Sequence, residues 1–192
     1  MANLLRYLSH PQVKVDADVP VPDWSLSSIG RARTEAICGS ASLQNTDLVV
    51  SSNERKAIET AKIIADSIGQ DVVAAERTHE NDRSATGFLL PEEFEEVANL
   101  FFMHPEQSVR GWERALDAQA RIVEETNNFI RHRKSGDILM VGHGGVGTLL
   151  YLHFIGVPIS REHDQPAGGG NFFAISLDTF TPLHGWCPME LI

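Results

Sequence analysis

The chain has 192 residues, 42% of them hydrophobic and 22% charged, and carries a formal net charge of −10. That size and composition suit a soluble globular chain with a proper core, organised as a single domain over residues 1–192. A net acidic chain is poorly suited to nucleic acid, whose binding neutralises many phosphates, and no apolar run approaches the roughly 18 residues of a membrane-spanning helix.

The apolar stretch Leu4-Leu5-Arg6-Tyr7-Leu8 is too short and too quickly interrupted for a secretory signal. The expected location is the cytoplasm, where Cys38 and Cys187, far apart and without ligand spacing, read as two free thiols. Residues 3–9 form a buried strand that ends at Ser9-His10-Pro11. Three prolines and scattered aspartates make 11–25 a loop. Helical spacing runs from Leu26 to about Leu43, with Ser27 or Ser28 as its cap. Asp47–Ser52 is a second strand, and Asn53 is placed to cap a helix from Glu54 to Ile68. Asp71–Ala75 is a third strand, followed by the polar segment 76–90. Pro91-Glu92-Glu93 opens a helix where proline and acids are favoured. A long helix is expected from about Val109 to Arg133. Asp137–Val141 is a fourth strand ending at Gly142-His143-Gly144-Gly145, with a helix from about Val146 to Phe154. Asn171–Leu177 is a last strand.

Strands separated by helices predict an α/β, three-layer sandwich with a mostly parallel sheet. Ligands bind such sheets at the carboxyl ends of the strands. Two histidines, His10 and His143, occupy equivalent places there. Imidazole is a nucleophile toward phosphorus, and a second, protonated imidazole stabilises the equatorial oxygens. Gly144 and Gly145 clear space around His143, and the following helix points its N-terminus there, which favours an anion. Arg55 and Lys56 stand in the first turn of a helix, where cations oppose its dipole; an anionic ligand would remove that conflict. In the segment Arg77–Arg83, either Glu80 or Asp82 qualifies to protonate a leaving alcohol.

Gly142-x-Gly144-x-x-Gly147 also fits a dinucleotide fingerprint, but too little chain follows it to complete the βαβ unit and its acidic ribose ligand. No strand leads into Asp16-Ala17-Asp18, so it lacks the context of a phosphotransfer pair. His104, His132, His153, His163 and His184 show no mutual ligand spacing, and His79 with Asp82 is too slight for a metal site.

The pattern resembles the histidine phosphatase superfamily, which includes the cofactor-dependent phosphoglycerate mutases. His10 ends the first strand like the family's Arg-His-Gly. Leu26-Ser27-Ser28-Ile29-Gly30 is similar to its Leu-Thr-x-x-Gly, and Ser51-Ser52-Asn53-Glu54-Arg55-Lys56-Ala57-Ile58-Glu59-Thr60-Ala61 to its Ser-Ser-x-x-x-Arg-Ala-x-x-Thr-Ala. Gly142-His143-Gly144-Gly145-Val146 matches its second histidine motif. The resemblance implies a sandwich with one antiparallel strand, the last one here. It implies His10 as phosphorylated nucleophile, His143 as stabiliser, Glu80 as proton donor, a small phosphorylated substrate, and no metal or cofactor.

Three positions depart from the family. Ser9 and Pro11 replace the arginine and glycine around His10, and counting back from Thr60 puts Lys56 at the second arginine. Arg6 lies roughly 13 Å back along the strand at about 3.3 Å per residue. Phosphate contacts are therefore expected from Ser9, Arg55, Lys56, Arg83 and Gly144. Three functions stay open: a phosphomonoesterase acting through His10, a non-catalytic phospho-ligand binder, and a mutase. Specificity is expected from 78–110 and 155–170.

Overall fold

The computed structural model describes residues 3–192. Strands β1 (Leu4–Ser9), β2 (Thr46–Ser52), β3 (Val72–Ala75), β4 (Asp137–Gly142), β5 (Asn171–Ser176) and β6 (Pro182–Pro188) form one sheet in the order β3-β2-β4-β1-β5-β6. The first four are mutually parallel; β5 runs antiparallel to β1, and β6 antiparallel to β5. The expected antiparallel strand is therefore β5, but it is followed by β6, an edge strand absent from the sequence reading.

Helices α1 (Ser28–Ile37) and α2 (Arg55–Ile68) cover one face, and α3 (Pro91–Met103), α4 (Ala115–His132) and α5 (Gly144–Ile155) the other. The two-residue period of a strand sorts the core between them. Leu5, Tyr7, Ile138 and Met140 pack toward α3–α5, and Leu8, Leu139 and Val141 toward α1 and α2.

Helix boundaries differ from expectation for local reasons. Ser27 does cap α1, its hydroxyl accepting the Gly30 N–H at 3.1 Å, but the helix stops at Ile37 and the chain turns again at 41–43. Asn53 is not a cap; Glu54 takes that position, and its N–H donates to Ser52 Oγ at 3.2 Å. Helix α4 begins six residues later than Val109, because Arg110 and Gly111 adopt φ of 51° and 81°, a region a helix cannot continue through.

Register places the site. Ser9 pairs with Gly142, and the His10 N–H donates to the Gly142 carbonyl at 2.9 Å. His10 and His143 therefore leave adjacent strands side by side, and Ser52 ends β2 beside them. Arg6 is directed to the opposite end, where its guanidinium meets Asp137 at 2.6 Å.

Candidate active site

The rings of His10 and His143 are 5.3 Å apart, centroid to centroid, with an interplanar angle of 72°. His10 Nδ1 lies 2.9 Å from the Pro11 carbonyl. A carbonyl only accepts, so Nδ1 carries the proton and Nε2 keeps its lone pair. Burial first, then the Lys56 charge, brings the His10 pKa down to about 4. The nucleophile candidate is thus a neutral imidazole at physiological pH.

His143 is fully buried and caps α5. Its main chain is pinned by Tyr7, whose hydroxyl accepts the His143 N–H at 3.0 Å and donates to the His143 carbonyl at 3.1 Å. Its Nε2 lies 2.8 Å from Ser52 Oγ and 3.3 Å from Glu54 Oε1. Glu54 is ionised, since His143 and Lys56 outweigh its burial and bring its pKa to about 2. Facing a carboxylate that only accepts, Nε2 carries the proton, and the buried Nδ1 is left without a partner. Burial holds His143 well below the ordinary imidazole range despite Glu54.

The expected cations divide. Arg55 is 60% exposed in its side chain and pairs with Glu59 at 3.0 Å, turned away from the histidines. Lys56 is buried, donating to Glu54 Oε2 and, at 2.8 Å, to the Val21 carbonyl. The unfavourable cations in the first turn of α2 are therefore offset by the chain's own Glu59 and Glu54. The Arg83 side chain has no ion pair or hydrogen bond among the described residues. Its guanidinium lies 4.8 Å over the Phe94 ring, close enough to depress both imidazoles.

The N-terminus of α5 also receives an internal anion: Glu80 accepts the N–H groups of Gly145 at 3.1 Å and Val146 at 3.0 Å. Its own N–H donates to Glu54 Oε1 at 2.9 Å, so the two carboxylates are tied together. Asp82 is exposed and folds back on its own turn, accepting the Ser84 N–H at 2.8 Å. Glu80 lines a cavity of about 500 Å³ together with His10; Asp82 lines a neighbouring one of about 750 Å³ that His10 does not reach.

Ser9 is buried and faces sideways. Its hydroxyl is 2.6 Å from Gln165 Oε1 and 3.1 Å from the Asn171 carbonyl, and it accepts the Asn171 N–H at 3.1 Å. Its one proton goes to the shorter contact, which fixes the Gln165 amide with Nε2 turned onto Gly144. A Cβ at Gly144 would sit 2.0 Å from that nitrogen. Sequence reasoning missed Gln165, Glu54 and Asn81. Asn81 is buried beside Glu80 with Nδ2 unpartnered. Its place next to a candidate acid was its only sequence signal; Glu54 and Gln165 gave none, because their roles depend on partners distant in the chain.

Two histidines brought side by side from the ends of adjacent parallel strands, with His10 on the cavity and His143 buried behind it, define under this sheet order a phosphoglycerate mutase-like α/β sandwich. The chain belongs to the histidine phosphatase superfamily, branch 1, whose family model matches residues 10–175. No curated protein matches it in sequence. Among solved structures, a mycobacterial glucosyl-3-phosphoglycerate phosphatase with inorganic phosphate is 19% identical, with a TM-score of 0.81 over 98% of this chain and 99% of that one. The Entamoeba histolytica phosphoserine phosphatase in complex with 3-phosphoglyceric acid is 15% identical, with a TM-score of 0.78 over 99% and 100%. YhfR of Bacillus stearothermophilus is 21% identical, with a TM-score of 0.76 over 96% and 95%. Among the described residues no helix is long and apolar enough to cross a membrane, and no three His, Cys, Asp or Glu side chains are grouped to hold a metal ion.

Proposed function

We propose that this chain hydrolyses small phosphate monoesters through a phosphohistidine on His10, without a metal. The observation that carries this is the His10 tautomer: Nδ1–H is engaged by the Pro11 carbonyl at 2.9 Å, so the lone pair of Nε2 faces the cavity. The ester enters as its monoanion and passes its proton to the Glu80 carboxylate; the lone pair then attacks phosphorus as the ester P–O bond breaks, and Glu80 returns that proton to the leaving alkoxide. Water then attacks the phosphohistidine and gives its proton to Glu80; inorganic phosphate leaves and His10 is restored. His143 protonates at Nδ1 and, with Arg83, balances the charge on the transferring group. Asn81 Nδ2, Gln165 Nε2 and the Gly144 N–H are the neutral donors around it. The membership in the family and the phosphatases among the structural neighbours support this reading.

The test is phosphate release from phenyl phosphate, with the acid-labile phosphohistidine trapped by quenching at alkaline pH and read by ³¹P NMR. His10→Ala abolishes both signals; undiminished hydrolysis by that variant overturns the proposal. The pairing of Lys56 with Glu54 favours one second reading, a phospho-ligand binder without turnover. Tight vanadate binding with no hydrolysis of any ester would decide for it.

A further inference from the structure

The cations of the site can be counted, and only one is uncommitted. Lys56 is held by Glu54, and Arg55 by Glu59. Arg121 is spent on Glu113 at 2.8 Å and on the carbonyls of Arg77 and His79. Arg161, the cation that lines the His10 cavity, meets Glu95 at 2.7 Å, Asn99 at 2.8 Å and Asp164 at 2.8 and 3.0 Å. Asp164 is itself fixed by Thr148 Oγ1 at 3.0 Å and the Gln165 N–H at 2.8 Å. One guanidinium facing two carboxylates leaves that wall with a net negative charge. Glu80, on the same cavity, adds another. Between these groups the cavity is lined by Phe94, Phe101, Phe102, Trp112 and Pro166.

Among the described residues Arg83 is the cation left for an anion; it lies over Phe94 but lines the neighbouring cavity of about 750 Å³ and not this one, and in the phosphatase reading the phosphoryl group at His10 claims it. A second anionic substituent on the leaving group would enter a wall of aromatic rings and carboxylates with no donor cation to meet it, at an unscreened cost. We infer that the substrates are monoesters of neutral, apolar alcohols, aromatic ones above all, and that esters whose alcohol carries a carboxylate or second phosphate are rejected. This rests on the phosphatase reading above and narrows it. It also separates this chain from neighbours whose names specify phosphoserine or a phosphoglycerate.

The test compares phenyl phosphate with 4-carboxyphenyl phosphate, which differ by one carboxylate. Hydrolysis is followed by phosphate release, and binding by calorimetry on His10→Ala protein, which reads the preference independently of turnover. The expected result is at least a tenfold preference for phenyl phosphate in kcat/KM, carried by KM, and a similar ratio in Kd. Glu95→Gln, at an exposed position whose change releases one side of Arg161, narrows the ratio to about threefold or less. Equal or tighter binding of the carboxylated ester overturns the inference, as does an unmoved ratio in Glu95→Gln. A binding preference without any turnover leaves the substrate class standing and overturns the phosphatase reading. No calorimetric binding of either ester at millimolar concentration overturns both.

Discussion

Removing the Arg83 guanidinium separates ligand binding from folding more cleanly than any other change in the site. In the unliganded chain the Arg83 guanidinium makes no hydrogen bond among the described residues; it lies over the Phe94 ring at 4.8 Å. Truncation to alanine therefore costs the fold at most about 0.5–1 kcal/mol, the worth of a partly exposed cation–π contact. Against a bound phosphoryl group the loss is that of a charge-assisted hydrogen bond, about 1.5–3 kcal/mol. At about 1.4 kcal/mol per tenfold, vanadate or phosphate Kd rises by roughly 10- to 150-fold. Calorimetric titration with vanadate measures the loss in binding and urea unfolding the cost to the fold. Arg83→Lys recovers part of the affinity, because an ammonium keeps the charge but loses the two-pronged geometry. Arg55→Ala serves as the control: its exposed pair with Glu59 is worth about 0.3–0.5 kcal/mol of stability and nothing in vanadate affinity. Unchanged Kd in Arg83→Ala beside a weakened Arg55→Ala would refute this assignment of the phosphate clamp.

Three further outcomes are expected. Folding stability falls with acid, because the folded His10 has its pKa brought to about 4 from 6.5 by burial. Between those values only the unfolded chain takes up the proton, so up to about 1.4 kcal/mol is lost per pH unit on the way down and nothing above 6.5; urea midpoints for wild type and His10→Ala should converge as pH falls, and parallel curves refute the burial account. Asp137→Asn, which leaves buried Arg6 without its partner at 2.6 Å, costs about 3–5 kcal/mol in urea unfolding and leaves vanadate Kd unchanged. Gln165→Ala and Ser9→Ala each weaken vanadate by about fivefold, the worth of one neutral hydrogen bond; the double variant weakens it no further in the same titration, because Ser9 acts through Gln165.

The buried strands were legible because each is a short apolar run closed by turn residues, and β4 is buried along its whole length. Strand β6 was not: its sequence Pro-Leu-His-Gly-Trp-Cys-Pro has proline at both ends and a glycine at its centre, and it lies half-buried at an edge, where the alternation that marks a strand is weak. The histidine pair was legible for a topological reason, since equivalent strand ends in a parallel sheet converge. The charge around it was not. Arg55 and Lys56 sit next to each other in the chain, yet one turns to solvent and the other into a buried pair with Glu54. The α5 N-terminus was legible as an anion site, but the anion it receives in the unliganded chain is Glu80, 64 residues upstream of Gly144 by number.

The pairing of Ser9 with Gly142, reinforced by the Tyr7 hydroxyl that brackets the His143 main chain, makes the separation of the two histidines a property of the sheet. The aromatic rings of the cavity wall, Phe94, Phe101, Phe102 and Trp112, belong to a different stretch of chain, α3 and the turn before α4. Chemistry and selectivity are thus modular. A lineage, or an engineer grafting another chain's 86–112 onto this sheet, can replace those rings while the reacting pair keeps its spacing.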